Sequence, residues 1–355
     1  MPTEVNHKEM KKHIKKCYIK GRAVFIKGKP GIGKSEGTKE VAMEIAQELN
    51  MPFNGDKVEE GKFSLIDIRM SQYAPEDLKG LPSFDKINKV TEWLHPEVLP
   101  KTGCGIMFLD EFNLAAPSIQ ASGYQLILDG KIGTYTLPKG WLVIAAGNGL
   151  NDRCGTYDMS DALKNRFSHI ELTPPNIDEW TKWAVPHNIN NLIISYLQFK
   201  KSHLFCFDAN SNDDAWASPR SWAFASDLIE GETNDKDIQR GIASCVGEGV
   251  ARELMAFHKM RKEVNIKEII KHSKEFKSPK EISIRYAIAG ALAEEYNNNP
   301  KVLQNLCEIW QKFEPEFTVV SIKMCMAYKP LGLPKELLKL KEWDKLSSDY
   351  AKYLN

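Results

Sequence analysis

The sequence predicts an α/β fold, a parallel five-stranded sheet covered by helices, followed by a region built from helices alone. Three observations predict it. Short apolar runs alternate with amphipathic helical stretches along the first 173 residues, as in parallel strands buried between two helical layers. A glycine-rich turn joins the first of these runs to a helix. After Pro174 and Pro175 only helical periodicity remains.

Each predicted strand is a short apolar run that ends in a polar or glycine-rich segment. The five strands are predicted over residues 23–26, 63–68, 106–109, 141–146 and 169–172. Helices of the core are predicted over 9–20, 34–49 and 118–128. Residues 129–141 alternate β-branched and aromatic residues between glycines, which predicts a small hairpin before the fourth strand.

This pattern predicts three domains. We expect an α/β core over residues 1–173, a helical lid over 174–260, and a C-terminal helical extension over 261–355 that packs with the lid. The helices beyond the core are predicted over 177–184, 190–200, 219–229, 236–260, 281–296, 300–312, 316–327 and 334–353.

Composition and charge argue against several classes of protein. The formal net charge is +1, so no global field favours nucleic acid or membranes, and we expect neither as a partner. A run of lysines between residues 8 and 22 is interpreted as a solvated helix face; a nucleic-acid patch is the alternative, but no aromatic residues are interleaved for base stacking. No apolar run is long enough to span a bilayer. Seven scattered cysteines without a C-x-x-C pair fit a reducing cytoplasm.

The glycine-rich turn carries the first chemical motif. Residues 28–35 read Gly-Lys-Pro-Gly-Ile-Gly-Lys-Ser, which fits the phosphate-binding pattern G-x-x-x-x-G-K-[ST]. The glycines let backbone N–H groups face the phosphates, and the following helix points its positive end at them. Lys34 is expected to reach the β- and γ-phosphates, and Ser35 to bind Mg²⁺. The residues expected to bind the nucleotide are Gly28, Pro30, Gly31, Ile32, Gly33, Lys34, Ser35 and Glu36.

Two acids end the third predicted strand. Asp110 and Glu111 follow the apolar run 106–109, so their carboxylates emerge at the edge of the sheet where ligands bind in open α/β folds. We expect Asp110 to hold Mg²⁺, through water or with Ser35, and Glu111 to polarise the attacking water. The alternative is an acidic helix N-cap after a strand, which is a weak explanation beside the phosphate loop.

Asn148 ends the fourth predicted strand in the same way. Its amide is expected to hold the attacking water or the γ-phosphate, opposite Glu111. The alternative is a simple turn at residues 147–149 that closes the strand.

Two arginines are candidates for contact with phosphate. Arg166 stands just before the last strand, far from the phosphate loop of its own chain in this type of fold, and is predicted to act in trans as an arginine finger. Arg153 competes for that role, and a surface salt bridge is the alternative for either residue. Arg220 follows Ser218-Pro219 in the first turn of a helix, where the dipole disfavours a cation, so we expect an anionic partner such as the γ-phosphate. The alternative is an exposed first-turn arginine.

In this order, the motifs resemble those of the AAA+ ATPases, and within them the MoxR-like group. The resemblance also covers residues 67–82 and 246–257, and weakens over the last hundred residues. It implies Walker A at Lys34 and Ser35, Walker B at Asp110 and Glu111, sensor 1 at Asn148, an arginine finger at Arg166 and sensor 2 at Arg220.

The resemblance further implies ATP with Mg²⁺ and a homo-oligomeric ring, usually hexameric. It also implies remodelling or maturation of a protein client, often with a partner that carries a von Willebrand factor A domain. Many MoxR relatives have arginine where this chain has Leu114, so a role tied to that arginine is not transferred. Two other functions remain open: a nucleic-acid motor similar to McrB-type NTPases, and a scaffold whose assembly is timed by nucleotide.

Overall fold

The computed structural model describes residues 3–149, 155–208, 210–211 and 213–328. Arg153, Cys154 and the helix predicted over 334–353 lie outside these ranges. The chain divides into two compact units, Met1–Pro174 and Pro175–Asn355. The boundary coincides with the proline pair at which the sequence pattern changes. The separation of a lid (174–260) from a C-terminal extension (261–355) stays a prediction.

Strands and helices alternate through the first unit. Its elements are β1 (Thr3–Val5), α1 (His7–Lys20), β2 (Val24–Gly28), α2 (Lys34–Glu48), β3 (Phe63–Arg69), α3 (Pro75–Lys79), β4 (Leu81–Asp85), β5 (Val90–Leu94), β6 (Cys104–Asp110), α4 (Pro117–Asp129), β7 (Lys131–Ile132), β8 (Tyr135–Thr136), β9 (Trp141–Gly147), α5 (Asp161–Lys164) and β10 (Ser168–Leu172).

A parallel six-stranded sheet forms the centre of this unit, in the order β1-β10-β2-β9-β6-β3. The predicted fold class, a parallel sheet with flanking helices followed by a helical region, is confirmed. The predicted number of five strands is wrong, because Thr3–Val5 adds a sixth strand beside β10. That strand is three residues long and only Val5 is buried, so it has no apolar run that could have predicted it.

Three buried aromatic side chains pack together in the core of the first unit. Phe167 packs against Phe25 of β2, with ring centroids 5.6 Å apart, and edge-on against Phe112, which follows β6, at 6.0 Å. All three side chains are buried. Replacing such a buried ring by alanine costs about 3–5 kcal/mol of stability.

Two lysines of the basic N-terminal run form ion pairs within the first unit. Asn6 and Glu9 form a capping box that starts α1. Lys11 pairs with two carboxylates of α2, at 2.6 and 2.9 Å, and Lys15 likewise pairs with two, at 2.6 and 2.8 Å. The face of α1 that carries these two lysines therefore contacts acidic side chains of the same unit, which argues against its use as a nucleic-acid patch.

Two hairpins stand apart from the sheet. The hairpin predicted over 129–141 is present as β7 and β8. The second, β4 and β5, was not predicted. It exposes large apolar side chains on both faces and at its tip, so it lacks the alternation of buried and exposed positions by which strands are recognised.

In the described residues of the second unit, helices are the only regular secondary structure. Its helices are α6 (Ile177–Ala184), α7 (Asn191–Phe199), α8 (Pro219–Leu228), α9 (Asp235–Val246), α10 (Glu248–Lys262), α11 (Ile266–Lys271), α12 (Ile282–Asn298), α13 (Leu303–Trp310) and α14 (Pro315–Tyr328).

Two features of this unit differ from the prediction: α11 was not predicted, and one predicted helix is divided. The single helix predicted over 236–260 is two helices, because the chain breaks at Gly247, which has a φ of 92° that residues with a side chain rarely adopt. None of the helices in the described part of the chain has the length and apolar character that crossing a membrane requires.

Candidate nucleotide-binding site

The turn between β2 and α2 forms a backbone cradle. Gly31 and Gly33 have φ values of 76° and 93°, so the chain alternates between right- and left-handed conformations and its N–H groups converge on one side. Among the described residues, no side chain caps the start of α2. The positive end of the helix dipole at such a start favours an anion.

Lys34 lies at the centre of this cradle. Its Nζ donates hydrogen bonds to Gly28 O at 2.7 Å, Lys29 O at 3.0 Å and Asn148 Oδ1 at 2.8 Å. The side chain is buried, and its ammonium group is held against the loop that it closes. The structure thus brings Lys34 and Asn148 together, although 114 residues separate them in the chain.

Ser35 and Asp110 also meet. The Ser35 hydroxyl donates to Asp110 Oδ2 at 2.8 Å. Oxygen ligands of an octahedral Mg²⁺, which lie 2.0–2.1 Å from the metal, are about 3 Å from one another, so this oxygen pair fits the ion. Asp67 of β3 adds a second carboxyl group near this pair: desolvation, and then the charge of Asp110, raise the pKa of Asp67. This concentration of carboxylates suits a divalent cation.

Glu111 adopts a left-handed backbone conformation, with φ of 54°. A non-glycine residue there carries strain of about 1 kcal/mol or more, which the structure around it must hold in place. The turn separates the Glu111 side chain from that of Asp110, whose Oδ1 accepts a hydrogen bond from the Glu111 N–H at 2.8 Å. Ser71, which follows β3, donates its hydroxyl to Glu111 Oε2. Sequence reasoning did not find Ser71, because a serine in a polar connection has no distinguishing signal.

Asn113 was not assigned a role from its own chemistry, yet it joins two parts of the site. Its Nδ2 donates to Asn148 O at 2.7 Å, and its Oδ1 accepts from Asn148 N at 3.1 Å. Asn113 is buried, and this reciprocal pair satisfies its amide. In the sequence, the only indication of this role is that Asn113, a polar residue, follows the apolar Phe112 directly. The contact fixes the end of β9 against the segment that carries Glu111.

Arg166 and the phosphate loop lie at opposite ends of the strands: the loop at the carboxyl end, Arg166 at the amino end. Strand β10 runs parallel to β2, with Ser168 opposite Val24 and Leu172 opposite Gly28. The loop follows the end of β2, whereas Arg166 precedes the start of β10. The four residue steps between Ser168 and Leu172 alone span about 13 Å. Within one subunit the structure does not bring Arg166 to Lys34.

Arg220 belongs to the second unit. It is exposed in the first turn of α8, which Ser218 caps and Pro219 begins, as the sequence predicted. Its assignment as sensor 2 stays a prediction. Arg153, the competing finger, falls outside the described residues.

The order of the strands decides the architecture. Strand β9, which ends next to Asn148, lies between β2 with its phosphate loop and β6 with its acids. This order places the phosphate loop, Asp110, Glu111 and Asn148 at the carboxyl ends of neighbouring parallel strands, where ligands of open α/β sheets bind.

Comparison with known proteins assigns the chain to no family. No protein-family profile matches the chain, and no curated protein does. Among solved structures, a Cytophaga hutchinsonii protein proposed to be an ATPase is 15% identical, with 88% of this chain and 83% of that chain covered and a TM-score of 0.36. A mutant form of RuvB from Thermotoga maritima is 15% identical, with 84% and 85% covered and a TM-score of 0.34. NtrX from Brucella abortus in complex with ADP is 12% identical, with 97% and 67% covered and a TM-score of 0.34.

Proposed function

We propose that the chain is a Mg²⁺-dependent ATPase. The observation that carries the proposal is the 2.8 Å contact between Ser35 and Asp110, because it unites the phosphate cradle and the acidic strand end in one site. ATP is preferred to GTP on the basis of the motif resemblance alone.

Each residue at this site has a chemical task. The N–H groups at Gly31–Gly33 and the ammonium group of Lys34 bind the β- and γ-phosphates. Ser35 and Asp110 would hold Mg²⁺, which when bound neutralises negative charge on the phosphates. Glu111 orients the attacking water and accepts its proton, while Asn148 positions the γ-phosphate or that water.

We further propose that the chain works as a MoxR-like ring, with six subunits as the expected number, that remodels or matures a partner protein. The position of Arg166 supports assembly, since an arginine finger at the amino ends of the strands serves a nucleotide only if that nucleotide is bound by a neighbouring subunit. The client, and a partner with a von Willebrand factor A domain, are carried by the motif resemblance.

The decisive experiment replaces Glu111 with glutamine. Loss of the carboxylate removes the proton acceptor but leaves the phosphate cradle intact, so E111Q should bind ATP with unchanged affinity and lose at least about 100-fold in turnover. Binding is measured by titration calorimetry and turnover by phosphate release. The matched variant Lys34→Ala should lose binding itself.

Hydrolysis by E111Q at the wild-type rate would remove Glu111 from the catalytic role. A wild-type protein that binds no nucleotide would overturn the whole proposal. Because E111Q would retain ATP, it is also the form with which to capture a client. Turnover stimulated by DNA and lost at high salt would favour the nucleic-acid motor instead.

A further inference from the structure

The guanidinium group of Arg166 is held by two contacts from its own subunit. It lies over the face of Tyr124, with Cζ 3.7 Å from the ring centroid. Its Nη1 donates a hydrogen bond to Ala162 O at 2.5 Å. Tyr124 belongs to α4 and Ala162 to α5, so two separate helices fix the end of a long and otherwise flexible side chain.

The stacked arrangement leaves donors of Arg166 available. A ring contacts the flat face of a guanidinium and does not consume its N–H groups, which point outward in the plane. Arg166 Nε is buried and has no hydrogen-bond partner among the residues that the structure describes. Because Nε is enclosed, contact with the oxygens of a phosphate falls to the N–H groups of Nη1 and Nη2 that the bond to Ala162 O leaves over.

Core packing accounts for only part of the surroundings of the Tyr124 ring, which packs on one side against buried apolar side chains of the first unit. The side chain is half-buried, and it borders a cavity of about 610 Å³ that is also lined by Gln120, Asp158 and Asp161. The ring is therefore not enclosed on that side, and the Arg166 guanidinium covers one of its faces.

We propose that Tyr124 is a positioning residue for Arg166, which it holds ready to contact the polyphosphate of a nucleotide bound by the next subunit. This inference rests on the proposed function, in which Arg166 acts in trans. The ring does not touch the phosphate. It lowers the entropy that Arg166 loses on contact, because the guanidinium is already placed when the neighbour arrives.

A subunit-mixing experiment tests the inference. Arg166→Ala subunits keep the nucleotide site but supply no finger, and Glu111→Gln subunits supply the finger but do not hydrolyse. Each should be inactive alone, and the mixture should recover turnover. Tyr124→Leu is then added to one kind of subunit at a time. In the Glu111→Gln subunits it should lower kcat of the mixture about three- to fivefold with KM for ATP unchanged, the range expected for an exposed cation–π contact.

The placement of the substitution is the matched control. In the Arg166→Ala subunits, where no guanidinium is present, Tyr124→Leu should have no effect. Tyr124→Phe should restore turnover in the Glu111→Gln subunits, because phenylalanine keeps the ring face. A loss that is equal in both placements, or no loss in either, would overturn the role of Tyr124 while the trans finger stands. A mixture that recovers no turnover would overturn the trans finger, and the role of Tyr124 with it.

A second measurement does not depend on turnover. In protein with labelled arginine side chains, the ring current of Tyr124 should displace the Arg166 Nε–H resonance, which Arg166→Lys identifies. The displacement should persist in Tyr124→Phe and vanish in Tyr124→Leu; an unchanged resonance in Tyr124→Leu would contradict the stacking. If Tyr124→Leu does not fold, as judged by ATP binding, Tyr124→Met takes its place in both measurements.

Discussion

At the scale of single residues, the amide of Asn113 fixes the position of Asn148. The two residues form a reciprocal backbone-to-amide pair, which holds Asn148 where its Oδ1 meets Lys34. Gly147 makes this possible. A Cβ at position 147 would lie 2.2 Å from Asn113 Oδ1 and 3.0 Å from the ring of Phe25, so only glycine leaves room for the pair.

Gly147→Ala should therefore impair the site without touching a catalytic side chain. We expect it to lower the free energy of unfolding by about 1–3 kcal/mol through overpacking, and to lower ATP turnover at least about tenfold because Asn148 moves. Urea denaturation and phosphate release measure the two effects. Gly249→Ala is the control, since a Cβ there meets nothing within 4 Å; in helix α10 it should leave turnover unchanged and should not lower the free energy of unfolding. Wild-type turnover in Gly147→Ala would show that the position of Asn148 does not limit the reaction.

Sequence reasoning could predict residues whose chemistry is local. The phosphate loop and the acids at the end of β6 can each be recognised from their residue spacing and from the apolar strand that precedes them. Asn113 and Ser71 cannot, because their partners are more than 30 residues away in the chain and only the folded sheet brings them together. Tyr124 was hidden for the same reason, as its contact with Arg166 joins two helical regions.

At the scale of elements, the pairing of α1 with α2 connects the start of the chain to the helix that follows the phosphate loop. Burial raises the pKa of Glu44, but hydrogen bonds and charges from Lys15 and Lys11 outweigh it and hold that pKa below its ordinary value of 4.5. A depressed carboxylate pKa stabilises the fold above the unfolded-state value, and the contribution is lost as pH falls through the folded-state value.

Replacing Lys11 and Lys15 together with glutamine should remove this contribution. We expect the free energy of unfolding at pH 7 and low salt to fall by about 1 kcal/mol, with a smaller difference in 0.5 M salt and at acid pH, once the pH has fallen below the lowered folded-state pKa of Glu44. Urea denaturation at each condition measures it. The matched control, Lys12→Gln with Lys16→Gln, changes exposed lysines for which the described residues contain no ion pair. Equal effects of the two pairs would contradict the assignment.

Boundaries of elements were predictable where composition changes abruptly and not elsewhere. The proline pair at 174–175 marks the end of the first unit. The break between α9 and α10 was missed because Gly247 and Gly249 lie inside a continuous apolar periodicity, and helices tolerate a glycine at a cost of about 1 kcal/mol. Strand β1 and the hairpin β4–β5 lack the buried alternation from which strands are predicted.

At the scale of the whole molecule, the proposed catalytic groups are divided between the two ends of the strands of one sheet. The phosphate cradle and the acids lie at the carboxyl ends of the strands, and Arg166 lies at the amino end, before β10. Under the proposed function, Arg166 therefore does not serve the nucleotide bound by its own subunit.

This division predicts that hydrolysis depends on assembly. Specific ATPase activity should rise with protein concentration over the range in which sedimentation shows subunits associating, and it should be close to zero for the monomer. Arg166→Ala should associate and bind ATP as wild type does, yet lose at least about 100-fold in turnover. Specific activity that stays constant across the association range would place all the catalytic groups within one subunit.

The contact between Phe112 and Phe167 has a consequence for anyone who alters this protein. Phe112 adjoins Glu111 and Phe167 adjoins Arg166, and the two rings touch edge-on within one core. A change to either ring shifts a backbone neighbour of both groups at once. A substitution intended to change how Glu111 acts on the ATP of its own subunit will thus also disturb the position of Arg166, which is proposed to act on the next subunit. The two properties will have to be optimised jointly.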